Sequence, residues 1–424
     1  MSRWLGLIAV LLACSPLTRP AWAQSYQPQS DDEVVARLPQ LPQLPWSEAR
    51  ASTDLAITTG AGDDALLAQS LQLVENGRKR SDPWLVDRAQ TLLESHWPVP
   101  ADRPPRVGLL LAVIAQHRHE FARARHLLDA VIARSPRLTD AWLTRAMLYA
   151  AGAEPMAAHR DCITVERLRP DLLSASCLAH VQGLIGQGER AHARLSQLLA
   201  STPDAPPSQR AHALDTLAEL ALRAGRAELA RTHLQDALQL DPESIQRLQR
   251  LLDVLLVLDR PREVEAMLTR VPLVSGRRAP GNAAQASETR LSSGLLLRRA
   301  LARQQLRDPR AATDVRELDE RLRLLSRAGE RSHLSDLARV ALYLHDDPVS
   351  ALRHARAAWA VQRTPEDALL LLSAAQAAAD PGARAEVLRW MQATGIADAR
   401  LNAHLHHARR APGLAHERST VSNR

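Results

Sequence analysis

Aromatic side chains are scarce: phenylalanine, tyrosine and tryptophan make up 3% of the 424 residues, although 46% are hydrophobic. The apolar content is therefore mostly alanine, leucine and valine, which suits closely packed helices and argues against an aromatic-rich β-sandwich. Lysine occurs once, as Lys79, so the basic charge is almost all arginine. These arginines are interleaved with acids, as in Arg316-Glu317-Leu318-Asp319-Glu320-Arg321, the pattern of a solvated helix face. No basic stretch alternates with stacking aromatics, so no nucleic-acid partner is expected. No apolar run approaches the roughly 18 residues a membrane span requires; Val107 to Ala115 is among the longest, at nine. Hydrolase, metalloprotease, phosphate-loop and dinucleotide motifs are missing too. Gly183-x-x-Gly186-x-Gly188 has no preceding strand and reads as a turn between helices. No catalytic centre and no cofactor are expected.

The N-terminus has the layout of a secretory signal. Arg3 is followed by the apolar stretch Trp4 to Ala13 and by the small-x-small site Ala21-Trp22-Ala23, which places cleavage before Gln24. A second reading uses Leu11-Leu12-Ala13-Cys14, in which Cys14 carries a lipid anchor. Removal of residues 1–23 takes away Arg3 and Arg19 and lowers the formal charge from +7 to +5. The expected location is periplasmic or secreted, or lipid-anchored at Cys14 on the second reading. Residues 24–63 form a Pro-rich leader whose Leu38-Pro39-Gln40-Leu41-Pro42-Gln43-Leu44-Pro45 run has the three-residue period of polyproline II.

Beyond residue 63, apolar residues recur three and four apart, with breaks at Gly, Pro and Asp. Ala124, Ala158, Ala193 and Ala230 are separated by 34, 35 and 37 residues, and Val264 lies 34 further on. Other positions follow in phase: Leu128, Cys162, Leu234 and Leu268; then Val131, Val165, Ala237 and Val271; then Pro136, Pro170 and Pro242. Ala112, Ala146 and Ala218 precede their markers by twelve residues, with Trp142 and Leu214 earlier still and Tyr149 between. Pro155 and Pro261 fit the first turn of a second helix, where a missing N–H is harmless. Asp82-Pro83, Asp308-Pro309, Asp347-Pro348 and Asp380-Pro381 fit an Asp cap followed by Pro at the first helical position. These signals predict helix pairs at 64–97, 105–138, 139–172, 173–204, 211–244, 245–272, 290–328, 330–364 and 366–394, and a last helix near 397–410.

A period near 34 with these residue types resembles the tetratricopeptide-repeat (TPR) family, most specifically between 105 and 271. The resemblance implies an all-α fold, a right-handed superhelical solenoid of about nine helix pairs. It divides the chain into an N-terminal array at 64–272, a loop or hinge at 273–289, degenerate TPR-like helices at 290–410 and a tail at 411–424. It further implies a concave face lined by the first helix of each pair, which binds a protein or peptide. The positions mapped to that face are Arg106, Leu109, Val113, Gln116 and His117, then Leu143 and Met147, then Asp215, Glu219 and Arg223, then Gln249 and Asp253. The lysine and asparagine clamp that some members use for a terminal carboxylate is missing. The implied role is a non-catalytic scaffold in an envelope assembly or export system; the alternatives are a non-catalytic subunit of an envelope enzyme complex and, last, an enzyme with an unrecognised active site on the solenoid.

Cys162 and Cys177 stand eight before and seven after Pro170, which places them at similar heights on facing helices. A disulfide and a pair of packed thiols both fit that spacing. His404 and His407 are one helical turn apart, but no carboxylate or cysteine accompanies them at ligand-like spacing, so no metal site is expected.

Overall fold

A computed structural model describes residues 62–80, 83–269, 291–327 and 333–407. The leader with Cys14, the segment 273–289 and the tail 411–424 lie outside the described residues. Within the described residues the regular structure is all helical and runs as hairpins, so the fold is an all-α, TPR-like solenoid. The pairs are α1 (Asp63–Arg80) with α2 (Pro83–His96), α3 (Pro105–His117) with α4 (Phe121–Arg134), and α5 (Thr139–Ala151) with α6 (Pro155–Leu168). Next come α7 (Leu172–Leu184) with α8 (Gly188–Ser201), α9 (Pro207–Arg223) with α10 (Ala227–Leu240), and α11 (Ile245–Val257) with α12 (Pro261–Leu268). The last three pairs are α13 (Ser293–Gln305) with α14 (Ala311–Arg327), α15 (Leu334–Arg339) with α16 (Pro348–Val361), and α17 (Pro365–Ala377) with α18 (Pro381–Thr394); α19 (Ala399–His407) follows.

One turn geometry recurs. From α3 onward, the residue two places beyond the first helix of each hairpin, or beyond the π turn at Val340–Leu344 that continues α15, has positive φ: His119, Ala153, Gly186, Gly225, Asp259, Arg307, Asp346 and Ala379. The residue after it sends its N–H back to a carbonyl five residues earlier, at 2.8–2.9 Å for Glu120, Glu154, Gln187, Arg226, Arg260, Asp308 and Asp380. This is the Schellman closure, which satisfies carbonyls the helix end leaves unpaired. Asp347 makes the same bond to Ala341, six residues back. The extra residue is absorbed by a π-helical turn over Val340–Leu344.

The turns fix the true register of the repeat. Five residues after six of these eight left-handed residues lie Ala124, Ala158, Ala191, Ala230, Val264 and Ala351, each at most 2% exposed. The third marker is thus Ala191, which corrects the expectation of Ala193; the latter is exposed and stands out of phase. Corrected, the spacings become 34, 33, 39 and 34, and the long one reflects α9, which has 17 residues where α3, α5 and α7 have 13. The corrected register also places Ala179 and Leu195 in the core, at 3% and 1% exposure. Small residues at these crossings let the helices approach, and leucines fill the space beside them. Gly183 marks another close approach, since a Cβ there would lie 2.3 Å from Leu220 Cδ2.

Asp347 and Asp380 cap α16 and α18 through the N–H groups of Ser350 and Ala383, with proline next in each case. Asp308 departs from the expectation. Helix α14 starts only at Ala311, and the Asp308 carboxylate accepts from the Arg310 N–H two residues on. At the crossing of that hairpin sits a buried acid, Asp314, gripped by Arg299 at 2.8 Å and Arg303 at 2.9 Å. Burial of a carboxylate is tolerated here because two guanidiniums saturate it.

Candidate functional site

The positions assigned to the inner face lie on α3, α5, α9 and α11, and their surroundings differ sharply along the array. On α3, Arg106 is exposed and lines a cavity of about 340 Å³ together with Asp63, Asp64, Leu67, Trp97 and Val107. Pro104, Pro105, Ser135 and Leu138 complete it, so the walls come from the first three hairpins. Leu109 packs on the cluster around Leu128 and Leu148, while Val113, Gln116 and His117 are partly buried.

On α5, Leu143 and Met147 do not face open solvent. They pack, with Tyr149, against a core that joins Ala146, Cys177 and Val181 to Trp359, Leu371, Trp390 and Leu401. The C-terminal helices therefore cover part of the face that the array alone would leave open. Cys162 and Cys177 are joined in this core by a disulfide, with Cα atoms 5.5 Å apart. Beside it Arg145 reaches Asp161 with two bonds of 2.8 and 2.9 Å and Asp129 with one of 2.7 Å. Its guanidinium carbon lies 4.8 Å from the ring centroid of Trp142. The fork geometry and the aromatic platform need arginine and would not accept lysine. The bond to Asp161 outweighs burial and raises the Arg145 pKa.

The positions on α9 and α11 form two charged groups, one around Asp215 and Glu219 and one around Asp253. Arg247 binds Asp215 at 2.8 Å. Glu219 meets His180 at 3.0 Å and also pairs with Arg223. Arg223 itself is buried and donates to the His180 carbonyl at 3.1 Å. Burial pushes Glu219 up, but Arg223 and His180 outweigh it and hold this carboxyl well below the usual range. Asp253 takes Arg298 at 2.6 Å and lies 3.8 Å from Arg339. Gln249 contributes its backbone carbonyl to Arg298 at 3.2 Å.

A separate ion group at the far end of the chain is coupled to these charges through space. Arg400 bridges Asp398 at 2.6 Å and Glu366 at 2.9 Å. Glu366 is pushed up by burial, yet Arg400 and Arg223 bring it below its ordinary value. Arg250 lies between Asp215 at 4.0 Å and Glu219 at 3.8 Å. Burial lowers it, but Glu219, Asp215 and Glu366 together raise it. Arg250, Arg298, Arg339, Glu366 and Arg400 fall outside the set expected from the sequence. Helical periodicity shows which residues share a face, but not which distant hairpin returns to it. Among the described residues no group of three or more His, Cys, Asp or Glu is arranged to hold a metal ion.

Stacked helical hairpins with small residues at their crossings and Schellman turns between partners define an all-α, TPR-like solenoid fold. No family model matches the sequence, and no curated protein matches it significantly. Solved structures similar to it include a thermophilic TPR protein, TTC0263, of Thermus thermophilus, at 23% identity and a TM-score of 0.37, covering 46% of this chain and 100% of that one. The type IV pilus biogenesis factor PilW is similar at 15% identity and a TM-score of 0.37, over 51% of this chain and 92% of that one. A human IFIT1 dimer bound to PPP-AAAA is similar at 12% identity and a TM-score of 0.41, over 81% and 95% respectively.

Proposed function

We propose that this protein is an exported, non-catalytic scaffold that binds a protein or peptide segment within an envelope assembly or export system. The observation that carries the binding role is the open cavity at the start of the array. Leu67, Trp97, Val107 and Leu138 supply an apolar floor, while Asp63, Asp64 and Arg106 supply charge at its edge. An apolar anchor side chain flanked by polar backbone suits such a pocket. Export is supported by the signal-like N-terminus and by the disulfide between Cys162 and Cys177, a bond that persists in oxidising compartments.

Crosslinking of the full-length protein in its own cells, followed by identification of attached proteins, tests the binding role. Arg106→Glu, a change at an exposed position, is expected to reduce capture of the partner at least tenfold without altering the melting temperature. Equal capture by variant and parent would remove this cavity from the interface, and absence of any captured protein would overturn the scaffold role. Fractionation of the same cells tests export: a purely cytoplasmic protein would contradict that half of the proposal.

A further inference from the structure

Helices α8 and α10 are the second helices of successive hairpins, and each carries a histidine close to its buried alanine marker. His192 follows Ala191 directly, and His233 lies three residues after Ala230. Although 41 residues apart in the sequence, the two imidazoles meet with Nε2 to Nε2 at 3.2 Å. Their ring centroids are 5.4 Å apart and the planes are tilted by 49°, so the rings approach by their nitrogen edges and do not stack. Both side chains are half-buried. Burial is the main cause that lowers both pKa values, which keeps the rings neutral at neutral pH. One neutral ring then donates its Nε2–H to the bare Nε2 of the other. Ser196 Oγ, one helical turn beyond His192, stands 3.5 Å from its Nδ1. An acceptor there favours a proton on Nδ1 and leaves the Nε2 lone pair of His192 directed at His233.

We propose that His192 and His233 form a binding site for a divalent transition-metal ion such as Zn²⁺, which clips α8 to α10. The separation of the two nitrogens carries the argument. Atoms 3.2 Å apart that each lie about 2.0–2.1 Å from one ion subtend an angle of about 100° at it, close to the tetrahedral value. Loading needs no net loss of a proton. His233 passes its proton from Nε2 to Nδ1 through water, and both Nε2 lone pairs then point at the ion. Imidazole nitrogen selects this class of metal, whereas Mg²⁺ and Ca²⁺ require oxygen ligands. With two protein ligands the site stays open, and water or the exposed Asp236 carboxylate, one turn along α10 from His233, takes the remaining positions. Of the charges acting on the two rings, Arg226 opposes a cation, while Asp236 and Glu189 favour one, and Glu189 pairs with Arg226 at 2.9 Å. Ligands drawn from two hairpins stay together only while those hairpins are stacked, so a held ion stabilises the stack. This inference is independent of the cavity beside Arg106.

Titration calorimetry with ZnCl₂ tests this on the full-length protein, purified without a histidine tag and stripped with EDTA. One tight Zn²⁺ site per chain is expected, and MgCl₂ is expected to give no binding heat. His192→Gln and His233→Gln are each expected to weaken that site at least tenfold, and H192Q/H233Q to add little more, because either change alone destroys the chelate. The variant H404A/H407A, which removes the other close histidine pair, is expected to keep the site. Labelling of the parent with diethyl pyrocarbonate, located by mass spectrometry, gives a readout that needs no substitution. Zn²⁺ is expected to slow modification of His192 and His233 together at least tenfold, and Mg²⁺ to have no effect. Absence of a tight site in the parent, or unchanged affinity in either single glutamine variant, would overturn the proposal. Protection by Zn²⁺ of other histidines while His192 and His233 stay reactive would overturn it too.

Discussion

Loss of the Cys162–Cys177 bond is expected to weaken two hairpins rather than the whole chain. The cysteines are 15 residues apart, and closing a loop of that size removes entropy from the unfolded chain equivalent to about 3 kcal/mol at 25 °C. Both side chains are at most 1% exposed, so in the reduced protein the thiols stay packed and the difference is the crosslink itself. Spread over an array of this length, at about 2.1 cal/mol/K per residue, 3 kcal/mol moves Tm by only about 4 °C. Read locally, the same energy is a change of about a hundredfold in opening of α6 and α7, since about 1.4 kcal/mol is tenfold. Helix-resolved hydrogen exchange is therefore the assay of choice, comparing oxidised protein with protein refolded and held in reductant, in a Cys14→Ser background. Slower exchange by one to two orders of magnitude in α6 and α7 of the oxidised form, with α11–α14 unaffected, is the expected result. Equal exchange in the two forms, or two free thiols on titration of the unreduced protein in denaturant, would refute the reasoning.

Three further outcomes are open to direct measurement. Ala153 and Ala379 hold φ of 62° and 53°, a conformation that costs a residue with a Cβ roughly 1–2 kcal/mol, so each change to Gly is expected to stabilise by about 1 kcal/mol in denaturant titration. Gly225→Ala is expected to cost a similar amount although the space around it is open, because strain alone acts there. Arg145→Met would leave Asp161, which is 5% exposed, as a buried unpaired charge at about 3–5 kcal/mol; the double change R145M/D161L is expected to recover most of that loss in a double-mutant cycle. Burial raises the Asp367 carboxyl from 3.8 to about 6, so between those values the folded state keeps a proton that the unfolded state has released. The stabilisation is complete below pH 4 and lost as pH rises through 6, up to about 3 kcal/mol before solvent screening. Asp367→Asn is therefore expected to raise Tm relative to the parent above pH 6 and to make little difference near pH 4.

What the sequence revealed and what it concealed follow from the range of the forces involved. Local signals were legible: proline at the first turn of α6 and α12, Asp caps at 347 and 380, and alanine at helix crossings all act within one or two turns of helix. The register of the fourth hairpin is ambiguous in the sequence because Ala191 and Ala193 are equally small, and only the left-handed Gly186 five residues before Ala191 tells them apart. A Gly there is no stronger a sequence signal than the His, Ala, Asp and Arg at the equivalent turns, so the closure is a property of the backbone that side-chain chemistry only partly encodes. Asp308-Pro309 failed as a cap for a related reason: the turn after α13 is two residues longer than its counterparts, and a cap motif specifies bonding, not the length of the turn that precedes it.

The charged positions of the first helices were legible only in part. Family register placed Asp215, Glu219, Arg223 and Asp253 on first helices, and there they lie, because their alignment depends only on the 34-residue pitch. Arg339, 3.8 Å from Asp253, and the Glu366–Arg400 pair come from helices whose return depends on the accumulated rotation of every unit between them, to which the 39-residue spacing at α9 and the π turn at Val340–Leu344 both contribute. A shift of one residue at either place would rotate the later hairpins and part the Arg363 and Ala397 N–H groups from the carbonyls of Ala151 and Leu184, to which they donate. Deleting one residue from the π turn is expected, on that argument, to leave α3–α10 folded while unprotecting α17–α19 in exchange, whereas unchanged protection would show that the closing contacts draw the C-terminal helices into place regardless of the twist delivered to them.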